Sequence, residues 1–184
     1  MTTSSFGLAS ALADYLRRHP LEHRTTGLFS EFLQSGGAPY ERSHPPGHFT
    51  GSAWLVSADG QRALLTHHRK LGRWLQLGGH ADGDANLPRV ALREAEEESG
   101  LVDLAVDPAI FDIDRHAIPA RGSEPEHWHY DVRFVVRAHG SEDFAVSEES
   151  LALSWKRVTD IAGDAAYDES LQRMAAKWLA SNAG

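Results

Sequence analysis

From Gly79 to Leu101 the chain reads GHADGDANLPRVALREAEEESGL, and four of the five residues from Glu94 to Glu98 are glutamates. Like charges at helical spacing repel, at about 0.2–0.5 kcal/mol for each i,i+4 pair. Such a cluster makes sense if a cation sits among the carboxylates. Asn86 or a neighbour can cap a helix, Pro88 is tolerated only in a first turn, and Gly100 suits a left-handed stop. The pattern predicts a helix over 87–99. On it Glu94, Glu97 and Glu98 share an arc of roughly 100° while Glu96 points away. Ala91, Leu92 and Ala95 make the adjoining apolar stripe. Arg93 stands four residues before Glu97 and is expected to pair with it. Gly78-Gly79 permits a tight turn and a close backbone approach to a ligand. Three carboxylates are hard oxygen donors suited to Mg²⁺, Mn²⁺ or Ca²⁺. The competing reading is a solvated acidic face.

The window resembles the Nudix box, G-x5-E-x7-R-E-U-x-E-E-x-G-U with U aliphatic. Gly79, Arg93, Glu94, Glu97, Glu98, Gly100 and Leu101 fall in register, and Ala95 fills the first U position with a small side chain. The departure is Ala85, which stands where the pattern has its first glutamate; Asp84 is adjacent but out of register. The resemblance is densest over these 23 residues, and the order of strands around them extends it to about residues 48–180. A spaced match of this length is far more specific than a lone glycine-rich loop.

The resemblance implies an α/β fold, an α/β/α sandwich with a mixed sheet, over residues 48–184. Residues 1–47 would be an N-terminal helical extension. It implies a hydrolase that cleaves a diphosphate linkage in a nucleoside diphosphate-X type substrate, by water attack on phosphorus. Glu94, Glu97 and Glu98 would hold Mg²⁺, with Mn²⁺ as the alternative ion. The Gly79 carbonyl would be a backbone ligand, and Arg93 would orient a glutamate. A further carboxylate often comes from a late loop in this family, where Glu148 and Glu149 stand. Two rivals remain. Ala85 is compatible with a catalytically weakened nucleotide-binding module, since fold does not fix function. The isopentenyl diphosphate isomerases share the fold but use an active-site cysteine, and this chain has none.

The elements that must position the window can be read in order. A chain of 184 residues is enough for one domain with a sizeable core, and 41% hydrophobic with 24% charged residues is ordinary for a globular protein. Residues 5–18 carry apolar positions at helical spacing, Leu28–Leu33 reads as a short helix, and 34–47 is a Gly/Pro/Ser-rich connection. HFTGSAWLVS and QRALLTHHR flank the hairpin signal Asp59-Gly60. GRWLQLGG leads into the box. LVDLAVDPAIFDIDRHAI is strand-like but interrupted by Pro108, HWHYDVRFVVRAH alternates, LALSWKRVTDI is a further strand, and DESLQRMAAKWLA closes as a helix.

A formal net charge of −8 without a Lys/Arg run argues against duplex nucleic acid as the partner. A nucleotide-derived small molecule bridged by metal remains compatible. No stretch approaches the roughly 20 apolar residues of a membrane span. The first residues lack a signal-peptide pattern, and the absence of cysteine fits a reducing cytoplasm. A homodimer is an open expectation.

Several residues outside the box are candidates for the pocket. On a strand, His127, His129, Asp131 and Arg133 share one face, opposite Trp128, Tyr130, Val132 and Phe134. His129 and Asp131 are expected to line the substrate pocket. His127-x-His129 with His80 or His116 also has the composition of a transition-metal site. His67, His68, Arg69, Lys70 and Arg73 cluster before the box, where Arg73 and its neighbours can meet phosphate oxygens. Trp74 can stack on a base, or fill core.

Overall fold

Seven strands join in one mixed sheet. The computed structural model of the protein describes residues 6–69, 71–145 and 150–182. The strands are β1 (Gly47–Val56), β2 (Arg62–His68), β3 (Arg73–Leu75), β4 (Leu77–His80), β5 (Leu104–Ile118), β6 (His127–Ala138) and β7 (Ser150–Arg157). Along the main path the order is β3-β2-β1-β6-β5, with β4 on β1 and β7 on β2. The β1–β2 hairpin forms at the expected turn but pairs only at its base, Val56 with Ala63. The two strands then part. β1 runs between β4 and β6, and it is parallel to β6. β2 runs between β3 and β7.

Helices cover both faces. On one lie α1 (Leu8–Arg18), α2 (His23–Gln34) and α3 (Leu87–Ser99). Leu8, Leu12, Tyr15, Phe29 and Phe32 pack with Phe49, Val90 and Tyr130 in a single cluster, so α1 and α2 share a core with the sheet. On the other face α4 (Val158–Gly163) and α5 (Glu169–Ser181) close over Trp54, Val56 and Leu65. Among the described residues no helix is long and apolar enough to cross a membrane.

Helix α3 has the bounds its sequence predicts. The Asn86 side chain accepts from the Arg89 amide, and Gly100 stops the helix at φ 68°. Three elements differ from expectation. Helix α2 starts at His23 rather than Leu28. Its buried face is Thr26, Phe29 and Phe32, a helical spacing that its polar first turn obscures. Strand β7 stops at Arg157, and Val158 and Ile161 are buried three residues apart on a helix instead. Strand β5 runs through Pro108, with register shifts between Val106 and Asp112 absorbing it. As an edge strand, β5 tolerates a missing N–H.

A buried charge network ties the layers together. Asp112 on β5 is fully buried and accepts from Arg133 (3.0 Å), Arg173 (2.8 Å) and Lys177 (2.6 Å). Lys177 also pairs with Glu22 at 2.6 Å and donates to the Tyr15 hydroxyl, linking α5 to the N-terminal helices. Burial pushes the Asp112 carboxyl up, but Arg173, Arg133 and Lys177 outweigh it and hold it below the usual range. Asp114 is lowered in the same way: burial opposes, and His116, Arg133 and Arg173 prevail.

Removing one partner from such a network leaves buried charge uncompensated. Asp112→Asn should therefore lower the unfolding free energy by about 3–5 kcal/mol in denaturant titrations near neutral pH. The folded pKa lies below the unfolded value of about 3.9. The stabilisation is thus present above that value and fades as pH falls through the folded one. The gap between wild type and Asp112→Asn should be constant from about pH 6 to 8 and shrink below about pH 4.

Candidate functional site

Two glycines set how closely α3 approaches the sheet. A Cβ on Gly51 of β1 would fall 2.9 Å from Val90 Cγ1 of α3. A Cβ on Gly79 of β4 would fall 2.4 Å from Glu94 Oε2. The Glu94 carboxylate therefore occupies the space a side chain at 79 would take. One turn on, Glu98 Oε1 accepts from the Gly78 amide at 2.8 Å. Glu94 and Glu98 are partly buried against the Gly78-Gly79 backbone, and Glu97 stands exposed at the helix surface. Glu96 is exposed and contributes only its carbonyl, which accepts from the Gly100 amide.

Arg93 braces Glu94 rather than Glu97. Its Nη2 donates to Glu94 Oε1 at 2.8 Å and to the His80 carbonyl at 2.9 Å. Reaching for that carbonyl brings the guanidinium back toward β4, beside Glu94, and leaves Glu97 to act on it through space. The hydrogen bond that Arg93 donates to Glu94 is the main cause that raises the Arg93 pKa, and the Glu97 charge adds to it. The converging metal-capable donors are carboxylate oxygens, with no thiolate or thioether. A hard divalent cation fits this set.

Ala85 is exposed in the turn before α3. The neighbouring Asp84 carboxylate accepts from the Asn86 amide at 2.8 Å and from Arg89 Nε and Nη2 at 2.8 Å each. It pins the turn that starts the helix, and the Arg89 hydrogen bond holds it below the usual carboxylate range.

The other candidates fall in three places. Arg73 is exposed and lies 3.8 Å from Asp168, the residue that caps α5. Trp74 is half-buried between the His67 ring, 5.2 Å away, and Lys156 Nζ, 4.5 Å from its centre. Lys70, Glu148 and Glu149 lie outside the described residues. Asp131 is 2% exposed and already engaged: Thr50 and Ser52 donate to it at 2.8 Å, Gln76 at 3.3 Å and Arg133 Nε at 2.8 Å. It is a pin between β1 and β6 rather than an open pocket face. His129 lies on the same strand face among other histidines, including His48, which no local motif marks. The alternation His48, Thr50, Ser52 in β1 was the available signal.

Burial, and then the facing imidazoles His80 and His127, push the His48 pKa down to about 4. His80 and His129 are lowered as well, burial again the largest cause. These rings are neutral at physiological pH.

Comparison with solved structures finds the same architecture. A C. elegans Ap4A hydrolase, in a binary complex, superposes with TM-score 0.58 at 19% identity, over 74% of this chain and 98% of that one. The E. coli dihydroneopterin triphosphate pyrophosphohydrolase gives TM-score 0.58 at 16% identity, over 72% and 95%. The NUDIX domain of Shewanella oneidensis NrtR, complexed with ADP ribose, gives 0.53 at 17%, over 84% and 98%. These likenesses establish the fold. No curated protein matches the chain in sequence. The sequence profile of the NUDIX domain matches residues 48–178, more than half of the chain, with the acidic helix and all of the sheet but Gly47. The chain belongs to the Nudix family of pyrophosphohydrolases.

Proposed function

We propose that the protein hydrolyses a phosphoanhydride linkage in a nucleotide-derived small molecule, of the nucleoside diphosphate-X type, with Mg²⁺ at Glu94, Glu97, Glu98 and the Gly79 carbonyl. The observation that carries this is the convergence of Glu94 and Glu98 on the Gly78-Gly79 backbone. The compounds named with the similar structures, Ap4A, dihydroneopterin triphosphate and ADP ribose, all contain a phosphoanhydride. When bound, the ion offsets diphosphate charge, polarises phosphoryl oxygens and lowers the pKa of a bound water.

The chain's own residues do the positioning. Arg93 fixes Glu94 at a short ion-pair distance and anchors to the His80 carbonyl, so the carboxylate is held without the entropy cost of freezing it on binding. The Gly78 amide does the same for Glu98. The exposed Glu97 completes the acidic arc. The rival reading, a nucleotide-binding module without turnover, rests on Ala85. It gains no support from an exposed position whose neighbour Asp84 serves the turn.

Purified protein with Mg²⁺ should cleave at least one of a panel of nucleotide sugars, ADP ribose, dinucleoside polyphosphates and nucleoside triphosphates. Ligand-induced thermal stabilisation across that panel with no cleavage would favour the binding module instead. Glu97→Gln and Glu98→Gln should each lower kcat by about 100-fold or more, the rate equivalent of a few kcal/mol; full rates would remove the metal reading. Gly79→Ala should stay folded, because the Glu94 carboxylate can swing aside, yet lose most activity and metal affinity. Ala85→Glu should leave metal affinity and turnover within error, as measured by calorimetry and steady-state kinetics. A clear gain would place position 85 at the metal after all.

A further inference from the structure

Of 11 histidines, five meet at one end of the sheet. His48, His129 and His116 sit side by side in register across β1, β6 and β5. His80 joins from β4, where it pairs with Thr50 of β1. His127 precedes His129 by two residues and shares its face. The ring centres of His48 and His129 are 4.7 Å apart, those of His48 and His80 5.1 Å, and those of His80 and His129 5.2 Å. One ring nitrogen from each of His48, His80 and His129 lies within 4.8 Å of the other two.

His48 is 1% exposed, and both of its ring nitrogens lack a hydrogen-bond partner. A buried polar atom left unpaired costs about 1–3 kcal/mol, so this arrangement calls for something to bind. The neighbouring His127 is prepared in a telling way. Its Nδ1 lies 2.9 Å from the Pro125 carbonyl, which can only accept, so Nδ1 carries the proton. The Nε2 of His127 then accepts a hydrogen bond from His129 Nε2 at 3.3 Å, which leaves the lone pair of His129 on its Nδ1. A ligand imidazole whose other nitrogen donates to a neighbouring acceptor is the usual outer arrangement of a histidine metal site, and His127 is that acceptor for His129.

We propose that His48, His80 and His129 form a second metal site, for a borderline divalent transition ion of the Zn²⁺ class, with His127 beside it. The three nitrogen donors distinguish it from the oxygen-donor site on α3. The two sites lie back to back. Gly79 turns its Cβ position toward Glu94 on α3, and the next residue, His80, turns to the opposite sheet face. An ion there would clamp β4, β1 and β6 together and fix the backbone on which Glu94 and Glu98 rest. A cleft lined by Arg42, His44, Pro46, Glu124 and His127 opens beside His127 at the edge of the cluster.

The test is a Co²⁺ titration of the untagged full chain after chelator treatment. Imidazole-bound tetrahedral Co²⁺ absorbs strongly in the visible, whereas octahedral oxygen-bound Co²⁺ absorbs weakly. Strong bands that saturate in one step and are displaced by Zn²⁺ are expected. His48→Asn and His129→Asn should each weaken Co²⁺ binding by at least about tenfold, the loss seen even for outer partners of metal ligands. Glu98→Gln, on the other site, and His139→Asn, on the exposed surface, should keep the bands. Weak bands alone in the folded wild type would overturn the proposal, whether or not any variant folds. So would bands that survive in His48→Asn and His129→Asn, or that disappear in Glu98→Gln.

Discussion

Glu94 rests on the backbone at position 79 only because that residue has no side chain. Everything at the acidic site follows from this contact. It sets the separation of α3 from β4, which Gly51 sets again on the neighbouring strand. It brings Glu98 into reach of the Gly78 amide and Arg93 into reach of the His80 carbonyl. The repulsion between carboxylates one turn apart is thereby set against fixed donors on one side, and, in the proposed function, against the cation they would hold on the other.

The layers around this contact keep it in place. The N-terminal helices bury Phe29 and Phe32 against Phe49 and Tyr130, on the opposite face of the same strands that carry His48 and His129. On the far side Asp112 gathers Arg133, Arg173 and Lys177, and Arg133 in turn holds Asp131. Asp131 accepts from Thr50 and Ser52 and so ties β6 to β1. A chain of buried polar contacts thus runs from α5 through β5 and β6 to the strand that carries His48. Hydrogen bonds and ion pairs of this kind are worth more in a low-dielectric interior than at a surface, provided none is left unpaired.

Local chemistry made the acidic helix legible. Its cap, its proline and its terminal glycine each act within a few residues, so the bounds 87–99 could be read directly. The three-glutamate arc followed from helical geometry alone. What could not be read was which partner each side chain reaches. Arg93 chooses Glu94 because a carbonyl from β4 pulls it there, and β4 lies 13 residues back in the chain. Asp131 reads as a pocket carboxylate until its donors arrive from β1, about 80 residues away. The histidine cluster was half visible in His127-x-His129. Its buried member, His48, alternates with Thr50 and Ser52 on β1, a polar face that carries no metal-ligand spacing of its own. Long-range strand pairing decides all three, and no local spacing encodes it.

The most direct test of the acidic site is Mn²⁺ binding, followed by loss of the free-ion electron paramagnetic resonance signal. Mn²⁺ is a hard ion that prefers carboxylate and carbonyl oxygens. Wild type and His129→Asn should bind it equally, and Glu94→Gln or Glu98→Gln should bind it at least about tenfold more weakly. Undiminished Mn²⁺ binding in folded Glu94→Gln and Glu98→Gln would contradict the carboxylates on the Gly78-Gly79 backbone as the metal site.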